Sequence, residues 1–139
     1  MKKIVIIVAL VCGAWQQADA QYVSKVWVSD QKDGTYINPI IHADYSDPDV
    51  CAVGDDFYMT ASSFGCTPGL PILHSKDLVN WELVSYAYDR LTDDVPAMNL
   101  DDGQNTYGRG SWASCIRYHK GMYYVSTFAQ TTGKTYFFM

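Results

Sequence analysis

The chain has 139 residues, of which 10 are lysine or arginine and 15 are aspartate or glutamate, giving a formal net charge of −5. An acidic surface repels phosphate backbones and anionic lipid, so neither nucleic acid nor a membrane surface is expected as a partner. A neutral substrate fits this charge better.

The first 20 residues have the three parts of a secretory signal peptide. Lys2 and Lys3 precede an apolar run over residues 4–14, and the small-x-small sequence ADA follows at residues 18–20. The apolar run is shorter than the roughly 20 residues that cross a bilayer. The sequence therefore predicts cleavage after residue 20, a domain over residues 21–139, and a secreted or periplasmic location.

Three cysteines remain in this mature chain, at positions 51, 66 and 115. They are odd in number and lack the Cys-x-x-Cys spacing, so they indicate neither a disulfide framework nor a zinc site. Cys51 and Cys115 are expected to be small core side chains on strands.

Short apolar and aromatic runs, separated by turn residues, follow one another after residue 48. They predict four short antiparallel strands, at residues 49–53, 57–63, 71–74 and 81–86. Residues 21–37 have no clear periodicity and are expected to pack against this first group of strands.

The same pattern begins again in the second half, with strands predicted at residues 114–118, 122–128 and 134–139. A constant offset of 66 residues relates matching positions in the two halves: Val50 and Ile116, Phe57 and Tyr123, Tyr58 and Tyr124, Met59 and Val125. Repeated antiparallel units of this size favour the blades of a β-propeller, although two unrelated hairpins could match by chance. The intervening residues 89–109, rich in Asp, Asn and Gly, are interpreted as a loop between blades, either a solvated connector or part of a pocket.

The densest candidate site is the sequence NPIIHADYSDPD at residues 38–49. Asp44, Asp47 and Asp49 lie within six positions, and Pro48 stiffens the chain just before a strand. A carboxylate held there could deprotonate a water molecule, as an inverting glycosidase requires. Two alternatives stay open, because Asx and proline residues also build simple turns, and a calcium loop also uses carboxylates. The calcium alternative lacks the glycine and the glutamate of an EF-hand.

Two longer stretches carry a resemblance to a known family. Residues 38–64 (NPIIHADYSDPDVCAVGDDFYMTASSF) and 68–84 (PGLPILHSKDLVNWELV) resemble the opening blade of the family-43 glycoside hydrolases, the β-xylosidase and α-L-arabinofuranosidase group. The resemblance implies an all-β, five-bladed β-propeller of which this chain holds about the first two blades. It also implies an inverting hydrolase of pentose oligosaccharides or polysaccharides, in which Asp47 is the general base.

The resemblance continues at residues 108–121, where GRGSWASCIRYHKG is similar to the family's Gly-x-Trp-Ala-Pro segment. It implies that Trp112 faces the sugar, although a core tryptophan is the alternative. Ser114 stands where the family usually has proline. Phe64 resembles an aromatic residue of the pocket wall, and His74 is a candidate for substrate binding or for fixing a strand turn.

The catalytic set is expected to be incomplete in this chain. The family uses a glutamate as general acid and a further aspartate to orient it, both on later blades. Glu82 is the only glutamate here, and its predicted position in the outermost strand indicates a solvated surface residue. The apolar end of the chain looks like a cut through a fold, so we expect an N-terminal, inactive part of the hydrolase.

The alternatives are a non-catalytic carbohydrate-binding β-domain and a structural β-domain. Xylose and arabinose both stay open as the sugar. No cofactor and no metal ligand are expected in this chain, and a structural calcium ion stays possible in the complete protein.

Overall fold

A computed structural model of the chain describes residue 24, residues 26–65 and residues 67–139. The predicted signal peptide and Cys66 lie outside these described residues. The strands are β1 Asp49–Val53, β2 Asp56–Thr60, β3 Gly69–Ser75, β4 Glu82–Tyr88, β5 Ser111–His119, β6 Met122–Ala129 and β7 Lys134–Phe138. The only helical segments among the described residues are the 3-10 turns Pro96–Asn99 and Asp101–Gly103, so the all-β prediction is confirmed.

The strands form two antiparallel sheets. Sheet 1 has the order β1-β2-β3-β4 and sheet 2 the order β5-β6-β7. Tight turns with positive φ join the strands of each leading hairpin. Gly54 has φ +63° between β1 and β2, and Lys120 and Gly121 have φ +49° and +84° between β5 and β6. Two successive positive φ values match the right-handed twist of the flanking strands.

The internal repeat predicted from the sequence is confirmed by strand register. Val50 pairs with Met59 in sheet 1, and Ile116 pairs with Val125 in sheet 2. Both members of the second pair lie 66 residues beyond their counterparts. The two leading hairpins therefore have the same construction, as expected of neighbouring propeller blades.

Two strand boundaries differ from the predictions by three residues, and the other boundaries differ by two residues or fewer. β2 ends at Thr60, not at residue 63. Its pairing with β1 stops at Thr60, and Ser63 pairs instead with Ser111 in an isolated bridge. β5 begins at Ser111, not at residue 114, because Ser111 pairs with Ala129 across an irregularity in the β5–β6 register. Both differences have one cause, which is a contact between the sheets.

The two sheets are held together by a small apolar core and by buried hydrogen bonds. Leu70, Tyr88, Ile116 and Val125 form the core cluster. The buried hydroxyls of Thr60 and Ser114 are 3.0 Å apart, and those of Tyr88 and Ser111 are 2.7 Å apart. Because each buried hydroxyl has a partner, the polar interface costs little desolvation energy.

The segment before β1 packs against sheet 1, as predicted. Asn80 in the β3–β4 turn donates to Asp30 of this segment at 2.8 Å, and within the segment the Trp27 indole donates to the carbonyl of Pro39 at 2.7 Å. None of the helical segments in the described residues is long and apolar enough to cross a membrane.

Candidate functional site

Asp47 lies two residues before β1, at one end of sheet 1. Its backbone has φ +51°, a left-handed conformation that Asp tolerates better than most residues. The Ser62 hydroxyl donates to Asp47 Oδ2 at 2.9 Å, and the Ser62 amide donates to the carbonyl of Ser46 at 3.0 Å. The side chain is exposed but its orientation is fixed by Ser62.

The residues that follow Ser62 connect this carboxylate to sheet 2. Ser63 and Ser111 exchange two backbone hydrogen bonds, of 2.9 and 3.1 Å, and Gly110 donates to the carbonyl of Phe64 at 2.8 Å. A Cβ atom on Gly110 would lie 2.6 Å from that carbonyl oxygen, so only glycine allows this approach. The link places the start of β5 beside Phe64.

Phe64 and Trp112 meet at this junction. Their ring centroids are 6.4 Å apart and the rings are inclined at 81°, an edge-to-face pair. The Trp112 indole donates to the carbonyl of Gly108 at 3.0 Å, and 41% of Trp112 is exposed. Trp112 is therefore a fixed, half-open aromatic surface and not a core residue. We call the set of Asp47, Ser62, Phe64 and Trp112 the Asp47 cluster.

The structure does not bring His74 to the Asp47 cluster. His74 lies in β3 opposite Tyr58, and its Nε2 atom pairs with Asp56, which also binds Lys76. Asp56 stands opposite Val53 at the far end of β1, about 13 Å along the strand from Asp49. Hydrogen bonds from Lys76, and then from His74, keep the pKa of Asp56 below its ordinary value. This geometry supports the alternative in which His74 fixes the end of a strand.

Glu82 also lies away from the Asp47 cluster. It is the exposed first residue of β4, the outer strand of sheet 1, and it pairs with His74. A carboxyl at that position cannot reach a group beside Asp47, which agrees with its interpretation as a solvated residue.

The other aspartates of residues 38–49 have separate partners. Asp44 accepts a hydrogen bond from Ser46 at 2.7 Å. Asp49 Oδ2 accepts the Ile116 amide at 2.8 Å and the Arg117 guanidinium, which joins β1 to β5. Within the described ranges, no group of three or more His, Cys, Asp or Glu side chains is placed to hold a metal ion.

The electrostatics of Asp49 follow from this position between the sheets. Its partial burial acts to raise the pKa, but the hydrogen bonds from Ile116 and Arg117 outweigh it, and the pKa lies below its ordinary value. The ionised form of Asp49 is therefore the one that joins the sheets.

A cavity of about 660 Å³ lies elsewhere, between the segment before β1 and the β3–β4 turn. Trp27, His42, Asn80 and Trp81 are among its lining residues, and no member of the Asp47 cluster is. We base the candidate site on the Asp47 cluster because that cluster combines a fixed carboxylate with an open aromatic ring.

Sequence reasoning missed Ser62, Gly110 and the link made by Asp49. Ser62 is an ordinary serine in the sequence ASSF, and Gly110 is one of ten glycines. A serine carries no pattern that reveals its partner 15 residues away. Asp49 gave a weak signal, since it is the third aspartate of a dense group at the start of a strand.

The two antiparallel sheets share a repeated register, as neighbouring propeller blades do. A fixed carboxylate precedes the first strand of sheet 1, and an open tryptophan lies in the first strand of sheet 2. These features are those of a β-propeller protein with a candidate carbohydrate site. Residues 36–138 match the family model of "Glycosyl hydrolases family 43". The chain belongs to this family of glycosidases.

Curated relatives agree with this assignment. The chain is 48% identical over 95 residues to a beta-xylosidase of Formosa agariphila, a match that covers 68% of this chain and 16% of the relative. It is 46% identical over 91 residues to the non-reducing end alpha-L-arabinofuranosidase BoGH43B of Bacteroides ovatus, covering 66% of this chain and 16% of that protein. The chain thus spans about one sixth of the length of these relatives.

A solved structure is also similar. The bifunctional GH43-CE protein of Bacteroides eggerthii superposes with a TM-score of 0.66 and 63% identity, covering 73% of this chain and 14% of that one. The predicted fold class and family resemblance are therefore confirmed.

Proposed function

We propose that this chain is the N-terminal part of a secreted glycoside hydrolase that acts on pentose oligosaccharides or polysaccharides, of the β-xylosidase or α-L-arabinofuranosidase type. Family membership supports the reaction class, and the names of two relatives support the choice of sugars. The single observation that carries the proposal is the carboxylate of Asp47, which is fixed by Ser62, two residues before the Phe64 ring that pairs with Trp112.

Asp47 is the general base in this proposal. Ser62 holds its Oδ2 atom, while no hydrogen bond reaches Oδ1 from the described residues. Oδ1 is thus free to accept a proton from a water molecule that attacks the anomeric carbon. An inverting mechanism needs such a base on one face of the sugar and a carboxylic acid on the other.

Phe64 and Trp112 bind the sugar ring. An aromatic face packs against the C–H groups of a pyranose or furanose and excludes water from them. The hydrogen bond from the Trp112 indole to Gly108 fixes the plane of its ring. His74 is not included, because its partner Asp56 lies at the other end of sheet 1.

The general acid lies outside this chain. The chain has a single glutamate, and it stands at the far end of the outer strand of sheet 1. We therefore propose that the chain by itself is inactive and that the acid comes from a later blade of the complete protein.

The test replaces Asp47 with Asn in the complete protein that contains this chain. Removal of a general base is expected to lower kcat about 10²- to 10⁴-fold, with melting temperature retained because Asn still accepts the Ser62 hydroxyl. Hydrolysis of a nitrophenyl pentoside measures the loss. Asp44→Asn is the matched control, since the hydrogen bond recorded for the Asp44 carboxylate comes from Ser46 in the same segment. Equal activity in the two variants would refute the role of Asp47.

A second candidate is a carbohydrate-binding β-domain without catalysis, which the distance of Glu82 from Asp47 favours. It predicts that the chain alone binds a pentose oligosaccharide and unfolds in one sharp transition. A broad transition without binding favours the hydrolase fragment.

A further inference from the structure

We propose that Tyr107 is an outer sugar-binding platform, which receives a second sugar unit of an oligosaccharide whose first unit lies at Phe64 and Trp112. The proposal rests on the proposed function. Tyr107 is 89% exposed, the highest exposure recorded for a large apolar side chain in the described part of the sequence. Its hydroxyl has no hydrogen-bond partner among those residues.

The backbone at Tyr107 is in an unfavourable conformation. It has φ +45°, and it is the one aromatic residue with positive φ in the described ranges. A bulky side chain is rarely found there because its Cβ atom crowds the backbone. Asparagine or glycine would fit this turn with less strain, and the tyrosine ring gains no burial in return. Strain without a packing benefit points to a functional role for the side chain.

The turn that carries Tyr107 is attached to both aromatic residues of the Asp47 cluster. Arg109 donates to the carbonyl of Thr106 at 3.1 Å and closes the turn. The Thr106 hydroxyl donates to the carbonyl of Phe64 at 3.2 Å, while the carbonyl of Gly108 accepts the Trp112 indole at 3.0 Å. The residues on either side of Tyr107 are therefore anchored to Phe64 and Trp112. Tyr107 has a fixed place at the rim of the candidate site.

A neutral sugar is the ligand that this arrangement fits. A tyrosine ring offers an apolar face for sugar C–H groups and a hydroxyl for a sugar hydroxyl, and it loses little conformational entropy on binding. The chain carries a net negative charge, so an anionic ligand is disfavoured. A polymer that enters the pocket with its terminal unit would place its next unit at the rim.

The test compares two substrates of the complete protein, a pentosyl fluoride with one sugar and a pentose trisaccharide. Tyr107→Ala is expected to raise KM for the trisaccharide about two- to tenfold and to leave KM for the fluoride unchanged. Tyr107→Phe is expected to keep most of the trisaccharide affinity. Tyr107→Asn should lose the same affinity as Tyr107→Ala while its melting temperature equals or exceeds that of the parent, because Asn relieves the backbone strain.

The outcomes separate this proposal from the one on which it rests. An unchanged trisaccharide KM in Tyr107→Ala, or an equal change for both substrates, would overturn the platform and leave the hydrolase function intact. If the parent protein hydrolyses neither substrate, the hydrolase function fails, and the platform fails with it.

Discussion

Asp47 is held through both its backbone and its side chain. The left-handed backbone at Asp47 precedes Pro48, which has a fixed φ and no amide hydrogen. Ser62 then binds one carboxylate oxygen and leaves the other open. At the scale of single residues, the proposed base is oriented by a neighbour and needs no buried environment.

Replacing Ser62 tests this orientation. Ser62→Ala removes the hydrogen bond to Asp47 Oδ2 and is expected to lower kcat of the complete protein about 10- to 100-fold, since a hydrogen bond to a charged group contributes about 1.5–3 kcal/mol. KM should change little because Ser62 does not touch the sugar in this proposal. Steady-state hydrolysis of a nitrophenyl pentoside gives both constants.

Ser62→Thr is the matched variant, because it keeps the hydroxyl and should recover most of the lost rate. If Ser62→Thr is as slow as Ser62→Ala, the loss comes from packing and the orienting role is wrong.

At the scale of strands, the two sheets are joined where β1 and the end of β2 meet β5. The bridge between Ser63 and Ser111 and the contacts of Asp49 with Ile116 and Arg117 lie along this seam. The bridge and the Asp49 contacts lie on either side of the Asp47 cluster. The contact between the sheets therefore also sets the distance from Asp47 to Trp112.

Asp49 gives this seam a dependence on pH. The pKa of Asp49 lies below its ordinary value in the folded chain. Its contribution to stability is therefore present above the ordinary aspartate pKa of about 3.9 and is lost as the pH falls through the lower, folded value. Asp49→Asn should lower the free energy of unfolding by about 1–2 kcal/mol at pH 7, and by less at pH 3.

Urea unfolding at the two pH values measures this difference. Asp55→Asn is the control, because Asp55 is exposed in the β1–β2 turn of the same sheet and should have little effect at either pH. A deficit in Asp49→Asn that is the same at pH 7 and pH 3 would show that the charge of Asp49 does not join the sheets.

At the scale of the whole molecule, the proposed base and the proposed aromatic pair come from the two neighbouring sheets. Its only glutamate lies exposed at the other end of sheet 1, beside His74. The two carboxyl groups of an inverting glycosidase stand about 6.5–9.5 Å apart, and Glu82 is too far along the sheet to serve. In the proposed mechanism, the general acid therefore comes from a further blade.

This geometry predicts that the 139-residue chain alone does not hydrolyse a nitrophenyl pentoside, whereas the complete protein does. Loss of general acid catalysis alone costs about 10²- to 10⁴-fold in rate. In the complete protein, Glu82→Gln should leave turnover unchanged. Turnover by the isolated chain at the rate of the complete protein would contradict the proposal.

Local patterns in the sequence predicted most of the strands. The strand at residues 49–53 was predicted with its observed bounds, and the 66-residue repeat was confirmed in the hairpin register. Alternation of apolar residues and turn chemistry act over a few positions, so they are visible in the chain itself. The family motifs around Asp47 and Trp112 are short and contiguous, and they were visible for the same reason.

Only the tertiary structure decided where β2 ends, where β5 begins and which candidates meet. Ser63 leaves its strand because it pairs with Ser111, 48 positions later in the chain. Ser62 orients Asp47, and His74 turns to Asp56, through contacts between residues that are distant in sequence. The sequence by itself determined the strands, the repeat and the motif residues, because these depend on near neighbours. The shape of the site depends on how two sheets pack, and that packing is set by long-range contacts that no local pattern encodes.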